Sequence, residues 1–141
     1  MNTPIVIERT YDAPAEKVWK ALTEKEQMKS WYFDLKEFRA EVGFQFSFLA
    51  GDGKKEYLHL CEVKEVIPGK KLSYSWRYEG YSGDSLVTFE LFPEGDKTRL
   101  KLTHSGLETF QGDIYPELHS RNFVQGWTDI LGKMLKEFLE K

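Results

Sequence analysis

The chain has 141 residues, about one domain on the usual prior of roughly 150 residues each. Apolar residues make up 40% and charged residues 30%, which is typical of a folded chain, and the net charge of −3 gives no electrostatic reason to expect a nucleic-acid partner. A single cysteine, Cys61, excludes an internal disulfide. Because no apolar run has the ~18 residues of a membrane span and the start is too polar for a signal peptide, we expect a cytoplasmic protein without a membrane span.

The first elements are one strand and two short helices. Residues 4–11 alternate, with Ile5 and Ile7 on one side, which predicts a strand. The stretch DAPAEKVWKALT predicts a helix with Pro14 at its first position, where the missing N–H costs nothing. Residues 23–26 (TEKE) match a capping box, so a second short helix is expected to begin there and to end near Trp31.

From residue 34 to 105 the apolar pattern has a period of two, which predicts about six strands. The connections are too short for crossover helices, so the sheet is expected to be antiparallel, with one turn at residues 51–53 (GDG). On the segment after this turn His59, Cys61 and Val63 share one face. The alternation assigns further residues to the same inner face: Phe44, Phe46, Phe48, Leu72, Tyr74, Trp76, Val87, Phe89, Leu91, Thr98, Leu100, Leu102 and His104.

The last segment, residues 117–140, returns to helical period, with apolar residues at three- and four-residue steps from Phe123 to Phe138. Pro116 and Ser120 are both plausible start signals. Gly126 is expected to let the helix backbone approach what lies beneath it. The sequence therefore predicts a single α+β domain over residues 1–141, in which the long helix covers the apolar face of an antiparallel sheet.

No sequence motif of a known catalytic or phosphate-binding site is present. His59 and Cys61 lie two residues apart on one predicted strand face, which would place an imidazole beside a thiol. The spacing is compatible with a nucleophile–base pair or a metal site, but both residues are also ordinary strand residues, and no third ligand is evident. We therefore predict no catalytic residue, no metal and no cofactor.

The aromatic residues are the stronger signal. If the sheet curves beneath the long helix, its concave face receives rings that either fill a core or line a pocket. A polar minority shares those faces: His59, Cys61, Tyr74, Thr98 and His104. A few polar groups in an apolar concavity are typical of small-molecule sites. The same groups can equally form hydrogen bonds with one another instead of with a ligand.

Several strings have a familiar order and spacing: IERTYDAP at 7–14, VWKALT at 18–23, EVKEVIP at 62–68, LSYSW at 72–76, VTFEL at 87–91 and TRLKLTH at 98–104. Together with Trp31-Tyr32 and Gly126-Trp127 they resemble the activator of heat-shock-protein-ninety ATPase homologue (AHSA-like) family, of the START-like, Bet v-like helix-grip superfamily, over about residues 3–139. The resemblance implies a bent antiparallel sheet gripping a C-terminal helix. It also implies a cavity for hydrophobic or aromatic molecules such as lipids or polyketides.

The leading hypothesis is a non-enzymatic protein that binds an apolar or aromatic small molecule between sheet and helix. Tyr74, His59 or His104 would orient a carbonyl or hydroxyl of the ligand. The predicted wall consists of Phe46, His59, Cys61, Tyr74, Trp76, Phe89, His104, Trp127 and Leu131.

Two alternatives belong to other functional classes. A chaperone partner or stress-response interaction module, as the resemblance suggests, predicts an exposed apolar patch on the outer sheet. An enzyme, such as a cyclase, dehydratase or hydrolase, requires a His or Tyr acting as acid or base inside the cavity.

Overall fold

The computed structural model describes residues 4–32, 35, 37–51, 56–81, 83–110 and 120–140. The predicted order of elements is confirmed, with five strands after the two short helices where about six were expected. The strands are β1 (Ile5–Tyr11), β2 (Gln45–Gly51), β3 (Glu56–Ile67), β4 (Lys71–Tyr78), β5 (Ser85–Glu94) and β6 (Lys97–Ser105). The helices are α1 (Ala15–Thr23), α2 (Lys25–Trp31), a 3-10 turn (Leu107–Thr109), α3 (Ser120–Asp129), a π-helical segment (Ile130–Leu135) and α4 (Lys136–Leu139).

All six strands form one sheet in the order β1-β6-β5-β4-β3-β2, and each neighbouring pair is antiparallel. The chain therefore runs as a meander from β2 to β6, and β1 joins the far edge beside β6. Gly51 pairs with Glu56 across the β2–β3 hairpin, whereas the other two residues of the predicted turn, Asp52 and Gly53, lie outside the described residues.

Strand alternation places the predicted inner-face residues as expected. His59, Cys61 and Val63 are buried, while the intervening Leu60 and Glu62 are partly exposed. The β3–β4 register shifts between Val63 and Glu65. A bulge reverses the faces of residues only beyond its own position, so this one leaves the inward orientation of β3 before Val63 unchanged.

The two short helices differ from the prediction at their starts. Pro14 precedes the first helical residue of α1, and its carbonyl accepts the backbone N–H groups of Lys17 and Val18. The predicted capping box is wrong: the Thr23 hydroxyl donates backwards to the Trp19 carbonyl at 2.8 Å, and Glu24 precedes α2 without a side-chain cap. A hydroxyl at the end of a helix reaches the carbonyl four residues back, so the Thr23 hydroxyl bonds within α1 and does not cap α2.

Helix α3, the π-helical segment and α4 follow one another without a break and are called the C-terminal helix below. Of its two predicted start signals, Ser120 is the first described helical residue, and Pro116 with residues 117–119 lies outside the described residues. A π-helical turn leaves α-helical hydrogen bonds unmade. The Tyr11 hydroxyl of β1 donates to the Leu131 carbonyl in this segment at 2.7 Å, which ties the helix to the sheet edge.

The prediction for Gly126 is wrong. A Cβ built on it would have no atom within 4 Å, so no close backbone approach requires glycine there. No helix in the described part of the chain has the length and hydrophobicity that crossing a bilayer requires.

Candidate functional site

The space between the sheet and the C-terminal helix holds a connected cluster of aromatic rings. On the sheet, Tyr74 lies edge-on to Phe46, with ring centroids 5.1 Å apart, and 6.0 Å from Phe89. Trp127 on the helix lies 6.0 Å from Phe89 and 5.6 Å from Trp76. Edge-to-face and offset pairs at these distances are the favourable arrangements of aromatic rings. Strands β2, β4 and β5 and the helix therefore meet in one aromatic interior.

All predicted wall residues are buried in this interior or its margins. The histidines join the same ring cluster, because His59 lies 5.0 Å and His104 5.7 Å from the Trp76 ring. Leu131 lies four residues after Trp127 on the C-terminal helix, and its backbone carbonyl accepts the Tyr11 hydroxyl. Thr98 is also buried, but its hydroxyl donates to the Ala13 carbonyl at 2.8 Å, so it ties β6 to the turn before α1.

His104 is held in a chain of three hydrogen bonds. The Trp127 indole N–H donates to His104 Nδ1 at 3.0 Å, and His104 Nε2 lies 2.8 Å from Ser85 Oγ. Because the Ser85 hydroxyl donates its own hydrogen to the Trp76 carbonyl at 2.7 Å, it accepts from Nε2. Burial lowers the pKa of His104 to about 3. Its ring is thus neutral at physiological pH, with both nitrogens engaged.

The predicted His59–Cys61 pair is buried and uncharged. His59 stacks on Phe48 at 4.5 Å, and its Nδ1 lies 2.9 Å from the Tyr57 carbonyl. Burial lowers the pKa of His59 to about 4 and raises the pKa of the Cys61 thiol. A nucleophilic cysteine needs a stabilised thiolate, and these surroundings favour the neutral thiol instead.

Tyr32, which follows α2 directly, belongs to this interior but was missed by the alternation pattern. Its hydroxyl lies 2.6 Å from that of Tyr74, 42 residues later in the chain. Its ring stacks 6.2 Å from Trp127 and lies 6.3 Å from Phe48. The only sequence signal for it is the Trp31-Tyr32 pair within the resemblance, because a residue at the end of a helix belongs to neither periodic pattern.

A groove of about 250 Å³ lies at β2, β3 and β4. Two of the predicted wall residues, Phe46 and Cys61, border it. The Glu62 backbone N–H donates here to the Ser75 hydroxyl at 3.0 Å, so a side chain joins the β3–β4 ladder. The remaining lining is mostly polar: Gln45, Ser47, Leu60, Glu62, Ser75 and Arg77.

No group of three or more His, Cys, Asp or Glu side chains is arranged to hold a metal ion among the residues with described positions.

The interior contains hydroxyl, indole and neutral imidazole groups within an aromatic surface. Such a surface suits an uncharged molecule with a small number of polar atoms.

Comparison with protein families identifies the chain. The model of "Activator of Hsp90 ATPase homolog 1-like protein" (AHSA1) matches residues 12–140. The chain belongs to the AHSA1 family. Comparison with the curated proteins gave no match.

Solved structures of AHSA1-like proteins have the same fold. MLL2253 from Mesorhizobium loti is 30% identical, with a TM-score of 0.78 over 97% of this chain and 96% of its own. Mll3558 from Rhizobium loti is 24% identical, with a TM-score of 0.82 over 99% and 98%. DynU16, from the dynemicin biosynthetic locus, is 23% identical with a TM-score of 0.80 over 100% of this chain, which spans 48% of DynU16.

Proposed function

We propose that this AHSA1-family protein binds an apolar or aromatic small molecule between the concave sheet face and the C-terminal helix, without catalysing a reaction. The observation that carries the proposal is the aromatic cluster, in which Phe46, Tyr74, Trp76, Phe89 and Trp127 converge from three strands and the helix. The other predicted wall residues, His59, Cys61, His104 and Leu131, complete the proposed enclosure.

Burial supplies the affinity in this proposal. A ligand of two fused aromatic rings that loses about 250 Å² of apolar surface gains about 6 kcal/mol at ~25 cal/mol per Å². Part of this gain offsets the lost translational and rotational freedom of the ligand. The free energy that remains corresponds to a modest affinity for simple aromatic molecules, and polar contacts would add to it.

The electrostatics favour a neutral ligand. Burial keeps His59 and His104 uncharged and raises the pKa of the Tyr74 hydroxyl. A ligand carrying a net charge would lose its hydration in this interior and meet no opposite charge among these groups. Neutral aromatic ketones, phenols and polyketides fit this requirement, whereas free fatty-acid carboxylates do not.

The same geometry does not favour the enzyme alternative at His104. A general base needs an available lone pair and a pKa near the working pH. The His104 lone pair accepts the Trp127 indole N–H, and its pKa is about 3.

Two-dimensional NMR titration with naphthalene tests the proposal. We expect saturable shifts of the indole N–H resonances of Trp76 and Trp127, while that of Trp19, half-buried on α1, stays in place as an internal control. The Arg77 Nε–H resonance reports on the β2–β4 groove. Shifts at Arg77 alone, or no saturable shift together with a ligand-free native mass of protein purified from its own host, would contradict the proposal.

A further inference from the structure

The β2–β4 groove opens on the side of the sheet that faces away from the C-terminal helix. The strand register aligns Ser47 of β2, Leu60 of β3 and Arg77 of β4 in one row across the sheet. Trp76, the neighbour of Arg77, contacts Trp127 of that helix with ring centroids 5.6 Å apart. Because successive side chains of a strand point to opposite faces, Arg77 and its row point away from the helix. The groove is therefore a different place from the aromatic interior.

The hollow of the groove is due to two short side chains. Ser47 and Ser75 line it beside the longer Leu60, Glu62 and Arg77, and they leave a space that the longer side chains surround. The Ser75 oxygen is fixed in place, because it accepts the Glu62 backbone N–H at 3.0 Å. This bond uses the oxygen and leaves the hydroxyl hydrogen of Ser75, which no residue of described position accepts. The groove thus contains one positioned hydroxyl donor.

Arg77 brings a positive charge to the groove. Arg39 and Arg99 each form an ion pair at 3.1 Å, whereas Arg77 has neither an ion pair nor a hydrogen bond with any residue of described position. The one acid that lines the groove, Glu62, lies 3.4 Å from the Lys64 ammonium, so its charge is balanced. The groove therefore carries one unbalanced positive charge beside the Ser75 hydroxyl.

We propose that the β2–β4 groove is a second binding site and that it takes a small molecule with a single carboxylate group. In this site the Arg77 guanidinium pairs with the carboxylate, and the Ser75 hydroxyl donates a hydrogen bond to the ligand. A guanidinium presents its N–H groups in a planar fork that matches both oxygens of a carboxylate. Leu60, which is partly exposed between Ser47 and Arg77, contacts the apolar part of the ligand.

Size and charge restrict the ligand further. The groove holds about 250 Å³, less than the roughly 300–1,000 Å³ of sites for drug-sized molecules, so the ligand is small. A second negative charge on the ligand would lie close to the Glu62 carboxylate and be repelled. A neutral molecule would leave the Arg77 charge without a partner. Monocarboxylates therefore fit the groove better than dicarboxylates or amides.

Benzoate, benzamide and phthalate are the probes that test this site. Benzamide has nearly the shape of benzoate without its charge, and phthalate adds a second carboxylate. Two-dimensional NMR titration follows the backbone N–H resonances of Leu60 and Ser75, which report on the groove in every variant, and the indole N–H resonances of Trp76 and Trp127, which report on the interior. We expect saturable shifts at the groove resonances with benzoate and a Kd of roughly 1–10 mM, because exposed charge pairs are weak. Benzamide and phthalate should each bind there about fivefold more weakly.

Three variants separate the charge from the hollow. Arg77→Gln should weaken benzoate binding about fivefold, to the level of benzamide, because the ionic partner is lost. Arg99→Gln is the matched control, since Arg99 is an arginine of the same sheet that already has acidic partners, and it should leave the Kd unchanged. Ser47→Leu fills the hollow while Arg77 keeps its charge, and it should abolish the saturable shifts. Far-UV circular dichroism and Tm verify that each variant is folded.

Equal Kd values for benzoate in the wild type and in Arg77→Gln would overturn the proposal, as would the absence of saturable shifts in the wild type. Benzoate binding that persists in Ser47→Leu would also overturn it, because Arg77 would then attract anions without the groove. None of these outcomes concerns the interior, whose occupation by naphthalene is read from the Trp76 and Trp127 resonances.

Discussion

Acid should weaken this protein through His104, and the size of the effect follows from the burial of its ring. The folded-state pKa is about 3, whereas an unfolded histidine has a pKa near 6.5. In the folded state a proton added to Nδ1 would face the Trp127 indole N–H at 3.0 Å and break that bond. The folded protein therefore resists protonation that the unfolded chain accepts.

The sign and magnitude follow from proton linkage. The folded pKa is lowered, so the stability that neutral His104 contributes is complete above about pH 6.5 and is lost as the pH falls toward 3. The full difference corresponds to about 5 kcal/mol, and about 2 kcal/mol of it is lost between pH 7 and pH 5. Over that interval the slope approaches about 1.4 kcal/mol per pH unit, one proton per molecule.

Urea unfolding of the wild type and of His104→Gln at half-unit steps from pH 7 to pH 5 measures this contribution. The wild type should lose about 2 kcal/mol more than the variant, because His104→Gln removes one titrating group and leaves the others in both proteins. His59→Gln, whose histidine has a folded pKa of about 4, should reduce the loss by a similar amount.

Parallel stability curves for the wild type and His104→Gln would refute this reasoning. Trp127→Phe provides a second approach if His104→Gln does not fold. It removes the N–H that opposes protonation, so the folded pKa of His104 should rise and the loss of stability should level off at a higher pH, which extending the urea series below pH 5 measures.

The remaining predictions concern the C-terminal helix and Gly83, which lies just before β5. Tyr11→Phe should lower the free energy of unfolding by about 1–3 kcal/mol, since the Leu131 carbonyl loses its buried donor, and Tm should fall by about 2–4 °C per kcal/mol; a loss below about 0.5 kcal/mol would show that water or another group satisfies that carbonyl. Gly126→Ala should stabilise the protein by up to about 1 kcal/mol, because its Cβ meets no atom within 4 Å. Gly83→Ala is its matched opposite and should destabilise by more than about 1 kcal/mol, because Gly83 has φ of +112° and its Cβ would lie 2.6 Å from the Thr109 carbonyl oxygen. Thermal unfolding of the two alanine variants side by side tests both signs, and equal shifts in Tm would contradict the argument.

The sequence by itself determined the order of the elements and the faces of the strands. Residues two apart on a strand point the same way, and buried residues alternate with more exposed ones along the described strands, so alternation alone placed Phe46, Tyr74 and Trp76 inside. The spacing of apolar residues after Ser120 likewise identified the covering helix. These features depend on local backbone geometry, which the order of residues specifies directly.

Only the tertiary structure decided which polar groups meet. Ser85 and Trp127 reach His104 from a different strand and from the C-terminal helix, and Tyr32 reaches Tyr74 from the end of α2. Periodicity assigns a side chain to a face but does not specify its partner there. A hydrogen bond requires its two atoms to lie within about 3 Å, and that distance is set by how the layers pack against one another.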